Sequence, residues 1–270
     1  MTIEIDIRSD DGRTVHAYSW GDGDRVVMWH HGTPNVGSPP QPLFAAATRL
    51  GVRFLSYDRP GYGGSTPLPG RDMASAAGLA ATVADAFGVA RFAVLGHSSG
   101  GPHALACTAL LPDRVTAAAS ISGLAPRTAA DLDWFDGMGP GSLATLGAAA
   151  AGHAAATQGE PDFTPGDWAA LDGDWGWFGS VVEPAMAHGP APLIDDDLAN
   201  AGPWGFDPST ITAPVLLVHG GADRVVPSSH SIWLAGQLQA PELRIEIGEG
   251  HISVLPVQAE PALEWLSHHA

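Results

Sequence analysis

Lysine is absent from this 270-residue chain, and Cys107 is its only cysteine. Without lysine, the protein cannot form a lysine Schiff base with a carbonyl, and it has no lysine for a phosphate-binding loop. A single cysteine cannot pair within the chain, which excludes a disulfide-stabilised scaffold. A chain of this length buries roughly three-quarters of its unfolded surface, so folding requires neither a disulfide nor a structural metal.

Positive charge is also scarce. Twelve arginines face 29 acidic residues, and the formal net charge is −17. Phosphate-rich surfaces repel so acidic a chain, so we expect neither nucleic acid nor an anionic membrane as a partner. With 45% hydrophobic and 15% charged residues, the composition also excludes an intrinsically disordered chain.

Long hydrophobic runs are missing as well. No window approaches the ~18 uninterrupted apolar residues of a membrane-spanning helix. Residues 1–7 lack the basic region and the apolar core of a signal peptide. These features predict a soluble, cytoplasmic protein, and they indicate no particular oligomeric state.

Apolar strand-like runs alternate with helix-like stretches over most of the chain. Strands are predicted at 3–7, 15–20, 26–29, 54–57, 92–95, 115–121, 215–218 and 243–247, and helices at 72–87, 99–110, 228–239 and 255–267. Strands separated by helices of about 10 to 15 residues predict an α/β fold, with a mostly parallel sheet and helices on both faces.

Residues 124–206, called the inserted segment from here on, break this alternation. They contain 12 acidic residues, one arginine and five of the nine tryptophans, with no strand periodicity. We predict a mostly helical lid inserted into a core domain formed by 1–123 and 207–270. A loose acidic excursion is the alternative, but tryptophan rings are usually buried and so favour a packed structure.

One short motif indicates a nucleophile. Gly96-His97-Ser98-Ser99-Gly100 follows a predicted strand and precedes a predicted helix. In that context a G-x-S-x-G sequence turns sharply and exposes its central serine beside a helix N-terminus. Ser98 is therefore the candidate nucleophile, and an ordinary strand-to-helix turn is the alternative interpretation.

A nucleophilic serine needs a base and an acid that orients the base. His251 and Asp223 each follow a predicted strand, and side chains at the carboxyl ends of parallel strands meet at one edge of the sheet. The order Ser98, Asp223, His251 is the order of an α/β-hydrolase triad. Asp223 could instead cap the next helix, in which case Asp207 or Glu249 would supply the carboxylate.

The loop after the strand at 26–29 predicts an oxyanion hole. It reads His30-His31-Gly32-Thr33-Pro34, and the backbone amides of Thr33 and Ser99 are the expected donors. The histidine pair could suggest a metal, but adjacent residues on a strand point to opposite faces, and no cysteine or carboxylate joins them at ligand spacing. We predict neither a metal nor a cofactor.

Taken together, these motifs resemble those of the α/β-hydrolase superfamily, and the resemblance covers most of the chain. The matching segments are 31–34, 57–65, 96–100, 221–223 and 250–251. The resemblance implies eight strands and a lid inserted after the sixth. It also implies that Asp58 and Arg59 are structural. Small esterases, proline iminopeptidase-like peptidases and cofactor-free haloperoxidase-like hydrolases are the branches that look most similar.

The residues favour a serine hydrolase that cleaves a carboxylic ester, or a related acyl bond, of a small neutral substrate. An apolar pocket is expected to be lined by Trp134, Phe135, Trp175 and Trp177, unless these rings form the core of the lid. The acidic lid is expected to repel anionic substrates.

Two alternative functions remain open at the level of sequence. In a proline iminopeptidase-like aminopeptidase or amidase, the lid carboxylates Asp172, Asp174 and 195–197 would pair with a substrate ammonium group, although a charge run is more often a solvated face. The same fold could also serve a lyase, an acyltransferase, a haloperoxidase-like enzyme or a ligand-binding receptor. Proline β-naphthylamide hydrolysis and fluorophosphonate labelling distinguish these functions.

Overall fold

A computed structural model describes residues 1–9, 11–153 and 161–270. Within these residues the chain forms one eight-stranded sheet in the order β1-β2-β4-β3-β5-β6-β7-β8. The strands are β1 (Thr2–Arg8), β2 (Thr14–Trp20), β3 (Arg25–His30), β4 (Val52–Tyr57), β5 (Phe92–His97), β6 (Val115–Ile121), β7 (Val215–Gly220) and β8 (Pro241–Glu246). Strand β2 runs antiparallel to both of its neighbours, β1 and β4, and all other neighbouring strands are parallel, which confirms the predicted α/β-hydrolase fold.

Alternate residues of the central strands face two separate hydrophobic layers. On β3, Val26 and Met28 pack into one layer, and Val27 and Trp29 pack into the other. Every residue of β5 is buried, as its continuous apolar sequence predicts for a strand covered on both faces. The edge strand β1 alternates instead between exposed and half-buried positions.

Helices cover both faces of the sheet. The α-helices are α1 (Phe44–Leu50), α2 (Ser75–Ala86), α3 (Gly100–Leu110), α4 (Pro140–Ala150), α5 (Pro165–Leu171), α6 (Gly179–Ala185), α7 (Ala191–Ala201), α8 (Ser229–Gln237) and α9 (Val254–Ser267). Helices α2, α3 and α8 pack on one face, and α1 and α9 pack on the other. Helix α1 was not predicted, because its seven residues are too few to show a clear helical period.

The inserted segment lies between β6 and β7 and contributes helices α4 to α7. A 3-10 helix at Asp174–Phe178 joins α5 to α6, and α4 packs against α7. The described part of the segment contains no strand, and residues 154–160 of the predicted lid lie outside the described residues. No helix among the described residues has both the length and the apolar character needed to cross a membrane.

Candidate active site

Ser98 lies at the tight turn between β5 and α3. Its φ of 55° is in the left-handed region, and its amide donates to the Ile121 carbonyl at 2.9 Å. A Cβ atom on Gly96 would collide with the Gly100 carbonyl, and one on Gly100 would collide with the His30 carbonyl. The two motif glycines are therefore required because backbones pass too closely for any side chain.

Three side chains from different loops form one hydrogen-bonded chain. The Ser98 Oγ lies 2.9 Å from Nε2 of His251, and Nδ1 of His251 lies 2.7 Å from Oδ2 of Asp223. The second oxygen of Asp223 accepts from the amides of Val225 and Val226, at 2.8 and 2.9 Å. This geometry orients the imidazole so that Nε2 can accept the serine proton.

Asp223 is buried but carries its charge. Burial alone would raise the pKa of its carboxyl, but the charge and hydrogen bond of His251, together with His219, lower that pKa below the usual range. His219 places its Nε2 3.3 Å from Oδ2 of Asp223. Asp223 is therefore an ionised acceptor at neutral pH, as an orienting carboxylate requires.

The loop that carries His251 is held from two sides. The Nε2 of His97 lies 3.1 Å from the His251 carbonyl oxygen, and burial, followed by His251, lowers the pKa of His97 to about 3, so that this ring is neutral. On the other side, the Asp167 carboxylate of α5 accepts from the amides of Ile252 and Ser253, at 2.7 and 2.8 Å. The inserted segment thus helps to fix the position of His251.

The backbone amides of Thr33 and Ser99 belong to residues that line a cavity with Ser98. Neither the Thr33 nor the Ser99 amide donates to an acceptor within the described parts of the protein. Thr33 and Ser99 both line a cavity at Ser98, and Ser99 stands at the N-terminus of α3. Both amides are therefore free to donate to a ligand in this cavity.

Arg59 holds the loop that carries Thr33. Its guanidinium donates to the carbonyls of His31 and Gly32, the latter at 2.9 Å, and to the Thr33 hydroxyl at 2.7 Å. The same guanidinium pairs with Asp196 of α7 at 2.7 Å. The expected structural role of Arg59 therefore consists of fixing the predicted oxyanion loop against the inserted segment.

The acidic run 195–197 is not a solvated face. Asp196 is fully buried between Arg59 and Arg71, and these cations outweigh burial and keep the pKa of its carboxyl well below normal. Asp197 is also buried. The expectation of a solvated face is wrong for these two residues, and for Asp196 the reason is that the buried Arg59 and Arg71 need a partner. Asp172 and Asp174 are exposed, as the expectation of a solvated face predicts.

Two cavities adjoin at Ser98, and both have Thr33 and Val225 in their walls. The apolar chamber, about 430 Å³, is lined by residues that include His97, Phe163, Leu171, Phe178, Val182 and His251. The second chamber, about 260 Å³, is called the polar chamber because Ser99, Ser142, Thr145, Asp197 and Asn200 lie in its wall, beside apolar residues that include Leu124, Leu146, Leu193 and Val226. Both chambers take part of their lining from the inserted segment.

The four aromatic residues predicted for the pocket lie elsewhere. Trp134 is buried, donates its Nε1–H to the Ala125 carbonyl and packs edge-on against Phe135. Trp175 is buried, and Trp177 packs beside it. None of the four lines either chamber, so the pocket prediction is corrected in favour of the alternative, packing within the core.

The two alternative carboxylates, Asp207 and Glu249, form no hydrogen bond with His251 among the described residues. Asp207 is exposed and caps a 3-10 turn, and Glu249 lines a separate cavity of about 510 Å³ whose lining does not include Ser98.

Among the described residues, no group of three or more histidine, cysteine, aspartate or glutamate side chains is arranged to hold a metal.

Sequence reasoning missed the supporting groups. Asp167 and Asp196 lie more than 80 residues from the backbone groups and arginines that they contact. A T-x-x-D capping signal at Thr164–Asp167 is visible in the sequence, but it predicts only a helix start. Asp58 and Asp72 are the sequence neighbours of Arg59 and Arg71, so no local signal indicated that these arginines pair with Asp196 instead.

Comparison with known families covers almost the whole chain. A sequence model described as the alpha/beta hydrolase fold matches residues 25–256. The chain belongs to the α/β-hydrolase family. Membership of this family agrees with the strand order, the position of Ser98 after β5 and the insertion after β6.

Individual relatives of this α/β hydrolase carry several different names. A non-heme chloroperoxidase from Streptomyces lividans is 26% identical over 249 residues, 87% of each chain. A bifunctional esterase/perhydrolase from Acinetobacter calcoaceticus is 32% identical over 123 residues, which span 44% of this chain and 45% of the relative. The enol-lactonase from Burkholderia xenovorans has the same fold, with a TM-score of 0.70 and 16% identity over 97% of each chain.

Proposed function

We propose that this α/β hydrolase is a serine hydrolase that cleaves a carboxylic ester, or a related acyl bond, of a small neutral substrate. The observation that carries the proposal is the hydrogen-bonded chain from Ser98 through His251 to Asp223, with Ser98 next to two amides that have no protein acceptor among the described residues. This set of groups is what acyl transfer through a covalent intermediate requires.

In the first half of the reaction, the Ser98 Oγ attacks the ester carbonyl carbon while Nε2 of His251 takes the hydroxyl proton. The carbonyl oxygen becomes an oxyanion and accepts from the Thr33 and Ser99 amides. Collapse of this tetrahedral species breaks the bond to the leaving oxygen, which receives the proton from His251. The acyl group remains on Ser98, and the alcohol departs.

In the second half, water replaces the alcohol. His251 takes a proton from water, and the resulting hydroxide attacks the acyl carbon. Collapse of the second tetrahedral species breaks the bond between the acyl carbon and the Ser98 Oγ, which takes the proton back from His251, and the carboxylic acid leaves. Asp223 stays ionised throughout and stabilises the imidazolium in both halves.

The walls of the two chambers suggest how the substrate lies. Because His251 must protonate the leaving oxygen, the alcohol portion belongs in the chamber that His251 lines, which is the apolar one. The acyl portion then extends into the polar chamber, whose wall contains Ser98 and Ser99. We propose that the inserted segment acts as a lid, because it supplies part of the lining of both chambers.

Turnover of a panel of p-nitrophenyl esters, lactones and amino-acyl amides tests the proposal. Wild-type protein is expected to hydrolyse short neutral esters, and Ser98→Ala is expected to abolish this turnover without changing the circular dichroism spectrum. Exposed Ser180 on the inserted segment offers a matched control, since Ser180→Ala is expected to retain wild-type rates. Equal turnover by wild type and Ser98→Ala would refute the proposal.

Two relatives, the chloroperoxidase and the esterase/perhydrolase, have names that favour a second use of the same acyl-enzyme. If hydrogen peroxide takes the place of water in the second half, the acyl group leaves as a peracid, and the Ser98 hydroxyl is restored. Peracid formation from an ester and hydrogen peroxide, measured in wild type and in Ser98→Ala, tests this. Ser98-dependent hydrolysis without peracid would exclude the second use and leave the first intact.

A further inference from the structure

Asp197 on α7 is a buried acid that the proposed reaction does not use. Its side chain lines the polar chamber together with Ser98 and is 7% exposed. Its Oδ2 has no hydrogen-bond partner in the described structure. A buried polar atom without a partner destabilises the folded protein. Because the carboxyl group of Asp197 lies at the edge of the chamber and lacks a protein partner at one oxygen, it is a candidate to bond with a ligand in the chamber.

The chamber offers Asp197 no cation. The neighbouring Asp196 takes both Arg59 and Arg71. Helix α4, which packs against α7, contributes Ser142, Thr145 and Leu146 to the chamber and no charged side chain. The other described lining residues are likewise uncharged.

This environment favours the neutral form of the side chain. Burial, followed by the charge of Asp196, raises the pKa of Asp197 to about 8. At neutral pH the group is then a carboxylic acid, which can donate a hydrogen bond as well as accept one. In this wall, a neutral carboxylic acid also suits a neutral substrate better than a charged carboxylate would.

We propose that Asp197 is a specificity-determining hydrogen-bond donor that selects acyl groups bearing an ether or ketone oxygen over wholly apolar acyl groups. The proposal rests on the proposed esterase function, which places the acyl group in the polar chamber. The neutral acid donates its proton to the acyl oxygen and so gives the buried carboxyl the partner that the protein does not provide.

Two pairs of p-nitrophenyl esters, each matched in length, probe the chamber at two depths. Methoxyacetate is compared with butyrate, and 4-oxopentanoate is compared with hexanoate. The quantity measured is the ratio of kcat/KM within a pair. Comparing that ratio between protein variants cancels the intrinsic reactivity of each ester.

Two substitutions separate the donor from the charge. Asp197→Leu has similar size and no donor, whereas Asp197→Asn keeps an N–H donor and cannot ionise. At about pH 6, we expect Asp197→Leu to lower the preference for an oxygen-bearing acyl group roughly 3- to 10-fold, and Asp197→Asn to retain it. At about pH 10, wild type is expected to lose the preference because the carboxyl is ionised, and Asp197→Asn is expected to keep it.

Equal ratios in wild type and Asp197→Leu for both pairs would overturn the proposal. A second result would also overturn the proposal. If wild type prefers an ammonium-bearing acyl group over an ether-bearing one and Asp197→Leu does not, the site binds a cation. Infrared difference spectra against Asp197→Asn test the protonation directly. A protonated-carboxyl band is expected at about pH 6 and should vanish at about pH 10, and its absence at the lower pH would also overturn the proposal.

Failure of the underlying function has a separate signature. If no ester is hydrolysed in a Ser98-dependent manner, both claims fall. If Ser98→Ala abolishes turnover while the kcat/KM ratios are the same in wild type and Asp197→Leu, the esterase function stands and the role of Asp197 alone is refuted.

Discussion

At the scale of single residues, Asp223 shows how a buried charge is made stable. Its two oxygens face the imidazole of His251 and the amides of Val225 and Val226. Asp223→Asn removes the negative charge and allows the amide to favour the wrong imidazole tautomer. We expect kcat for ester hydrolysis to fall by about 10⁴-fold with the fold unchanged. Asp207→Asn, at an exposed carboxylate, serves as the control, and a loss below tenfold in Asp223→Asn would contradict this role.

The same carboxylate predicts a pH dependence of stability. Because its pKa is lower in the folded protein than in the unfolded chain, Asp223 stabilises the fold above the ordinary carboxyl pKa of about 4. That contribution falls as the pH drops below this value, because the unfolded chain then takes up a proton that the folded protein binds only at lower pH. The difference in Tm between wild type and Asp223→Asn should therefore change in favour of the variant between about pH 6 and pH 3. A constant difference would show that Asp223 is not held as an anion.

At the scale of elements, α5 and α7 of the inserted segment each fix one loop of the site. Asp167 of α5 accepts from two amides next to His251, and it also closes the capping box with Thr164. Asp196 of α7 reaches the Thr33 loop directly and through Arg59. The inserted segment therefore supports the loops that carry His251 and Thr33, and it also supplies part of the lining of both chambers.

Asp167→Ala tests this support. The substitution leaves buried amides without an acceptor, at about 1–3 kcal/mol for each group, so we expect Tm to fall by several degrees. We also expect kcat to fall more than KM rises, because His251 loses its fixed position. Asp172→Ala, an exposed acid that follows the same helix, is the matched control. A variant with wild-type kcat would show that Asp167 stabilises the fold without positioning His251.

The local parts of the structure could be predicted from the sequence, and the long-range parts could not. Continuous apolar runs indicate buried strands, and the glycines around Ser98 mark a turn that only glycine permits, so the sheet and the three candidate triad residues follow from local pattern. The pairing of Arg59 with Asp196 joins residues 137 apart, and nothing in either local sequence indicates the other. Trp134 was misplaced for a similar reason, since a buried ring fits a core and a pocket equally well.

At the scale of the whole molecule, the negative charge is concentrated in the inserted segment. Of the 29 acidic residues, 12 belong to the inserted segment, which has a single arginine. A field of this sign repels anionic substrates, and salt screens it over about 10 Å at 0.1 M ionic strength. We expect kcat/KM for an anionic hemisuccinate ester to rise with salt, while that of a neutral ester of similar size stays constant. The same salt response for both esters would exclude such steering.

Covalent trapping of Ser98 tests the central claim most directly. Wild-type protein treated with a fluorophosphonate and analysed by intact and peptide mass spectrometry is expected to carry one label, on Ser98, in parallel with loss of ester turnover. Ser98→Ala is expected to remain unlabelled, and His251→Ala to label far more slowly because the serine lacks its base. Labelling at another residue, or full turnover after Ser98 is blocked, would contradict the account.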